Sequence, residues 1–482
     1  MKTKSKTNLV LMILGIFLAL SHIFANKLNF YAGEHNKSTV YYDNIILEKG
    51  NLKPAEVWGI IHIDNNWSAT KDAGICIGNG TYSNPYVIED LVIDGGGGGS
   101  CIKIENSDVY FKIENCTLYN AEHDGIYLNR VINGQLINNN FSSDEYGIFI
   151  KYSHNNTISG NTVNSNSRGI YLSRSDYNNI IRNTGSHSSY FLLLDYSDNN
   201  FISKNIANSN LYGIDLSRSA YNNITGNTAN SNLYGINLYR SDYNSITGNT
   251  LNSNSYGMYL YSSDYNSITR NTPNYNSYGI YLSGSGFNNI TGNTAKYNLD
   301  GIYLQSSYDC TISENIANNN NVSGIHLYNC FTNGVWGNNA NYNRYHGIHL
   351  RYSLFNFISE NFAIANSHVG IYLFGVYSVG NPVYGSDYNN VTRNTANFNE
   401  RGILLQSSNN NTILGNSIIG NKVCISEDDC IGNEFKNNSC PYDKGDEINP
   451  ANVPPFPLGQ ILIASGIITV LLYIIFKKMN KS

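Results

Sequence analysis

The sequence predicts an all-β parallel β-helix, a solenoid of about fifteen coils. Three observations predict it. The phrase Gly-Ile-Tyr-Leu, or a close variant, recurs every 22 residues from Gly125 to Gly301. Past Gly301 the spacing loosens to 23 at Gly324, Gly347 and Gly370, and the register ends at Cys424. A second phrase, Asn-x-Ile-x-x-Asn, keeps step with it and ends at positions such as Asn161, Asn183, Asn205, Asn227 and Asn249. No apolar 3.6 spacing survives across the Asn-rich corners, which excludes helix.

Each coil follows from its residues. In Gly279-Ile280-Tyr281-Leu282 the Ile and Leu point one way and the Tyr the other, the period of a strand. Twenty-two residues hold about three such short strands separated by Asn, Ser and Gly. One coil offers roughly three or four inward aliphatic groups worth about 1.5–3 kcal/mol each. Ordering its backbone costs on the order of 1–2 kcal/mol per residue. A lone coil is therefore unstable, and stacking has to supply the difference through hydrogen bonds between coils. The recurring Asn suits corners because it tolerates left-handed backbone and its amides can bond along the axis.

The flanks predict an address. Residues 1–25 carry lysines and then an apolar run, Leu9 to Phe24, as in a secretory signal, with an uncleaved anchor as the competing reading. Residues 26–85 lack the repeat and are expected to cap the start of a β-helix spanning 86–440, with Cys430 to Cys440 capping its finish. Residues 441–457 are Pro-rich and read as a stalk. Residues 458–476 have no charge and the length of a membrane span, and Lys477, Lys478 and Lys481 in the 477–482 tail fit its cytoplasmic end. The rod is thus expected outside the cell, tethered to the membrane by its C-terminal helix. Eight cysteines in an exported chain predict structural disulfides. Asn-x-Ser/Thr sites, among them Asn36, Asn66, Asn79, Asn223, Asn289 and Asn390, allow glycosylation there. A net charge of −5 argues against nucleic acid as a partner.

The run Asn-Ile-Thr-Gly-Asn-Thr, followed by Asn-Ser-Asn-x-Tyr-Gly-Ile-x-Leu, resembles the NosD-like right-handed parallel β-helix family within the pectin-lyase-like superfamily. Residues 78–89, Gly-Asn-Gly-Thr-Tyr-Ser-Asn-Pro-Tyr-Val-Ile-Glu, resemble the opening of archaeal surface members. The resemblance covers roughly residues 75–435 and implies a right-handed coil. The superfamily ranges from lyases to inert spikes, so the likeness fixes no activity. The family name comes from a periplasmic protein tied to copper supply for nitrous oxide reductase. That role transfers badly, because Met258 is the only one of four methionines in the rod.

Candidate sites follow from the register. The outward position two after the repeat Gly forms a stripe that includes Tyr259, Tyr281, Tyr303 and Tyr372. Exposed stacked aromatics would give a flat platform for sugars or for another protein, and otherwise they simply pack as strand residues. His326 and His349 share that position in adjacent coils, with His346 near, and would hold a metal if they converged. Arg174 and Arg218 recur five after the Gly, with Asp176 and Asp198 nearby. A polysaccharide lyase would need such a basic group beside a calcium-holding acidic cluster, whereas a repeating Arg-x-Asp reads as a surface ion-pair ladder. The pattern breaks twice. At Phe191 the Gly is lost and Asp195 follows, and about ten residues are inserted around Gly375 to Asp387. Two functions are open: a glycan- or protein-binding surface rod without a cofactor, or a lyase or epimerase that could use calcium.

Overall fold

The computed structural model describes residues 57–376 and 385–440. The expected signal, stalk and membrane span, and most of the inserted segment, lie outside the described residues.

Two parallel sheets run the length of the rod and a third runs along its first half. The largest face is a 16-stranded sheet of the Gly-Ile-x-Leu strands, from Ile61–Asp64 to Val423–Asp428. A second 16-stranded sheet carries the Asn-Ile-Thr strands, from Tyr86–Glu89 to Glu434–Lys436. The third has seven strands, ending at Ile206–Asn208, and continues as single parallel bridges such as Thr228↔Thr250. The 16 strands mean sixteen coils. Coil strands begin at Val57–Trp58, well before residue 86. Within the region expected as a cap, the helix Trp67–Asp72 buries Trp67 against the first coils. The Trp67 ring stacks on Tyr86 at 5.1 Å, and its Nε1 donates to Ser107 Oγ at 2.8 Å.

Register makes the core a set of columns. Ile148 pairs with Ile170 and Ile150 with Leu172, and the same two slots repeat up the rod, fully buried. Burying like on like leaves no side chain without a neighbour above and below. The repeat Gly is required by close approach: a Cβ at Gly213 would lie 2.5 Å from the Gly235 carbonyl oxygen.

Between the sheets run four polar ladders, three of Asn and one of Ser, nearly all with no solvent exposure. Asn205 shows the pattern. Its backbone N–H and its Nδ2 both donate to Asn227 Oδ1, each at 2.9 Å, and Nδ2 also donates to the Ile180 carbonyl at 2.9 Å. The Ser ladder does the same with one hydroxyl, as in Ser219 N–H to Ser241 Oγ at 3.0 Å. Nearly every ladder amide is satisfied in this way, Asn166 Nδ2 being an exception, and each ladder oxygen takes a backbone N–H that a tight corner would otherwise strand.

The left-handed residues are the ones before the ladder, not the ladder Asn themselves as expected. Arg174, Tyr177, Arg182 and His187 have φ of 50°, 59°, 56° and 58° and precede Ser175, Asn178, Asn183 and Ser188. The kink turns the next side chain inward, so the amide's role is the ladder and the strain falls on its neighbour.

The disulfide expectation holds at one place. Cys424 and Cys440 are bonded, whereas Cys101, Cys116, Cys310 and Cys330 are free and buried. The physical reason is position. Cys310 N–H donates to Asn333 Oδ1 and Cys330 N–H to Ser353 Oγ, so these thiols occupy single slots on two different ladders.

Replacing Asn249 with Ala strands the Asn227 N–H and the Ile224 carbonyl. At about 1–3 kcal/mol per stranded buried group, it should lower the urea midpoint by the equivalent of roughly 3 kcal/mol. Ser245→Ala, on the outer face of the same coil, should change stability by under about 0.5 kcal/mol.

Candidate functional site

The outer face of the Gly-Ile-x-Leu sheet is built by alternation. Ile and Leu point inward, so the residue between them and the residue before the Gly point out. Tyr259, Tyr281, Tyr303 and Tyr372 therefore share one half-buried column. Beside it stands a second column that the sequence reading did not single out: Tyr190, Tyr212, Tyr234, Tyr256 and Tyr278, with ring centroids 4.6–5.4 Å apart and nearly parallel planes. Its signal was present as Tyr-Gly at Tyr212, Tyr234, Tyr256 and Tyr278.

The face is not the flat platform expected. In the second column the ring faces cover one another, leaving edges and hydroxyls outward. In the first column the rings tilt, Tyr259 to Tyr281 by 49° and Tyr281 to Tyr303 by 63°, and wedge against the second. Burial pushes the phenols of Tyr259, Tyr281 and Tyr303 up, and that of Tyr372 up to about 12. The face therefore presents neutral phenols. The Tyr281 hydroxyl donates to Gln305, and that of Tyr372 to Gln406 Oε1 at 2.5 Å.

The histidines continue this column. His326 stacks on His349 at 4.4 Å with planes 18° apart, and His349 stacks on Tyr372 at 5.0 Å. His346 leans on His349 at 5.0 Å. His326 and His349 meet face to face while His346 is tilted by 54°, and among the described residues no group of three or more His, Cys, Asp or Glu is placed to hold a metal ion. Burial holds His346 at about 3 and His349 well below the usual imidazole range.

The carboxylates are engaged one coil at a time. Asp176 Oδ1 accepts from the Asp198 N–H at 2.7 Å, and Asp198 Oδ1 accepts from the Ala220 N–H at 2.7 Å. Arg174 and Arg218 lie elsewhere: their guanidiniums sit over Tyr152 and Tyr196, and over Tyr196 and Tyr239, at 5.2–5.7 Å. The expected Arg-x-Asp ion-pair ladder is thus replaced by cation–π contacts. Among the described residues no ion pair joins these Arg and Asp; the nearest case is His154 with Asp176 at 3.6 Å.

Phe191 is a packing exchange. The coil that gains its ring has Gly185 in the slot that Val163 fills one coil earlier, and a Cβ at Gly185 would lie 2.3 Å from that ring. Phe191 is fully buried, and Asp195 remains half-buried beside Ser173 and Ser217.

Two carboxyls that the sequence reading left without a role are unusual. Asp215 lies within the aromatic face, 7% exposed, and accepts from Asn237 Nδ2 at 2.5 Å. Burial pushes it up to about 7. Asp144 stands in an Asn ladder. Its Oδ1 accepts from the Ala121 N–H at 2.9 Å, as a ladder amide would. Its Oδ2 is buried without a partner, in the place where the next ladder member, Asn166, puts Nδ2. A carboxylate there lacks donors, and burial pushes Asp144 up to about 7.

Opposite pH responses follow. A raised carboxyl stabilises the fold below its ordinary value near 3.9 and loses that contribution as pH rises through about 7. Asp144→Asn should therefore gain on the order of 2 kcal/mol over the natural chain at pH 8, and much less at pH 4, by urea unfolding. Histidines held neutral favour the fold above about 6.5 and lose that contribution as pH falls. His349→Tyr, which restores the ring found in neighbouring coils, should reduce the loss of stability between about pH 6.5 and 4, read as the thermal midpoint.

Comparison with known proteins places this geometry. No curated protein sequence matches the chain. Solved structures with a similar course include the periplasmic alginate epimerase AlgG, at 14% identity over 80% of this chain and 85% of that one, TM-score 0.24. The A-module of the Azotobacter vinelandii mannuronan C-5 epimerase AlgE6 matches at 14% over 72% and 92%, TM-score 0.27. The Dettilon tailspike protein matches at 14% over 65% and 60%, TM-score 0.34. The family model described as periplasmic copper-binding protein (NosD) matches residues 62–187, 182–298, 263–385 and 377–441 in turn. With its repeats matched from 62 to 441, this chain belongs to the NosD family.

Proposed function

We propose that the protein is a rigid extracellular rod, tethered to the membrane at its C-terminus, that binds surface glycans along its aromatic face. The observation that carries this reading is the unbroken run of rings from Tyr190 through Tyr278 and Tyr303 to His326, His349 and Tyr372. Its edges and neutral hydroxyls suit an extended, hydroxyl-rich chain lying along the axis. Such a ligand can exchange hydrogen bonds with phenols and pack its C–H groups against ring edges. A protein partner would use the same face. The apolar span at 458–476 and the basic tail support the tether.

A second reading, lyase or epimerase, draws support from Asp215, a carboxyl titrating near neutrality inside that face. Calcium would then have to be held by oxygen donors near it. Copper, which the family description names, does not fit the donors of this chain. Met258 is fully buried, and burial pushes the Cys101, Cys310 and Cys330 thiols up to about 12. Copper(I) prefers converging thiolates or thioethers.

The full-length protein should be retained on at least one immobilised polysaccharide, and changing Tyr259, Tyr281 and Tyr303 together to Ala should weaken retention about tenfold or more. Retention that is indifferent to the triple change would remove the aromatic face as the binding surface. Shortening of the polysaccharide, lost in Asp215→Asn, would favour the enzyme.

A further inference from the structure

Three of the sequons share one place in the fold once their Asn are placed. On two of the Asn ladders each Asn is followed two residues later by an inward position, as Asn222 is by Ile224, and on the third by the outward ring column, as Asn210 is by Tyr212; no ladder Asn among the described residues heads an Asn-x-Ser/Thr triplet. Most ladder Nδ2 atoms are also committed to hydrogen bonds, three of them at Asn222. The strands of the aromatic sheet contain no such triplet. The opposite holds on the second 16-stranded sheet. The strands Asn223–Thr225, Asn289–Thr291 and Asn390–Thr392 are each a sequon. Alternation buries their middle Ile or Val and sets Asn and Thr on the outer side, with Thr392 largely covered at 7% exposure.

All three Asn are exposed. None of their Nδ2 atoms donates to a partner among the described residues; Asn289 Oδ1 accepts from Thr291 Oγ1 at 2.5 Å. They also stand in one column. Register runs Asn223↔Ser245↔Ser267↔Asn289, then Asn289↔Thr311↔Gly334↔Phe357↔Asn390. That is three coils and then four, roughly 14 and 19 Å at about 4.8 Å per coil. Most residues between them are small, which leaves room for a bulky substituent.

We propose that Asn223, Asn289 and Asn390 are N-glycosylation sites that clothe one side of the rod and leave the aromatic side bare. This rests on the extracellular location in the proposed function. The amide Nδ2 of each Asn attacks the anomeric carbon of a phosphate-activated sugar presented by a transferase. The N–C bond forms, the C–O bond to phosphate breaks with its electron pair leaving on the phosphate, and one amide proton passes to the transferase. The result is a two-sided rod, with sugar on one sheet and ligand-binding rings on another.

The test is glycopeptide mass spectrometry on the full-length protein isolated from its native membrane, with protease treatment of intact cells alongside. Sugar mass on the peptides bearing Asn223, Asn289 and Asn390, lost site by site in Asn223→Gln, Asn289→Gln and Asn390→Gln and equally in Thr225→Ala and Thr291→Ala, supports the proposal. These outward changes leave the ladders intact, so each variant should keep its thermal midpoint within about 2 °C. Unmodified peptides from a rod that external protease can reach overturn the glycosylation and leave the location standing. A rod that external protease cannot reach, with unmodified peptides, overturns both. Sugar on a ladder Asn, such as Asn227, would overturn the geometric rule itself.

Discussion

The buried amide ladder is the interaction on which the rest of this molecule depends. A coil of 22 residues must turn several times, and each turn strands backbone groups that a sheet would otherwise pair. An Asn side chain has one acceptor and two donors in a plane, enough to take the N–H of the coil before and serve a carbonyl and the amide of the next. Hydrophobic burial drives collapse without specifying register. The ladder specifies it, because a slip of one residue would place the amide on the outer face and an aliphatic group in the polar slot.

That constraint also orders the surface. Once corners are fixed, outward positions in successive coils stand one above another, and any residue type repeated in the sequence becomes a column. The two Tyr columns arise in this way, as does the more exposed corner column Tyr221, Tyr243, Tyr265 and Phe287, whose rings stack at 4.7–5.1 Å. Mutual stacking holds such rings rigid. It also consumes their faces, so a ligand of this rod meets edges and hydroxyls.

Much of the fold was legible because period and alternation are linear properties. Gly125 to Gly301 and Asn161 to Asn293 gave the coil, its strands and its inward Ile and Leu. What was not legible depended on neighbours one coil away. Phe191 looked like a broken repeat, but its ring fills the space left by Gly185, a pairing visible only when the coil is closed. Arg174 sat near Asp176 in sequence, yet the left-handed turn at Arg174 separates the two and sends the guanidinium to Tyr152 and Tyr196. The cysteines shared a similar fate, because parity suggested pairs and the ladders took the thiols singly. Asp144 could have been found from sequence by asking which coil carries a carboxyl at the position of Asn166.

The bond between Cys424 and Cys440 has a mechanical meaning. Hydrogen bonds between coils lie along the rod axis, so tension on the C-terminal end would peel strands one by one, each in turn bearing the load alone. With the bridge in place, a pull entering at residue 440 crosses the sulfur link directly to Cys424 and reaches the strand Val423–Asp428 near its start. The terminal coil then becomes a closed loop out of the force path. Reduction of one bond would convert a rod that resists traction into one that unwinds from its C-terminal coil.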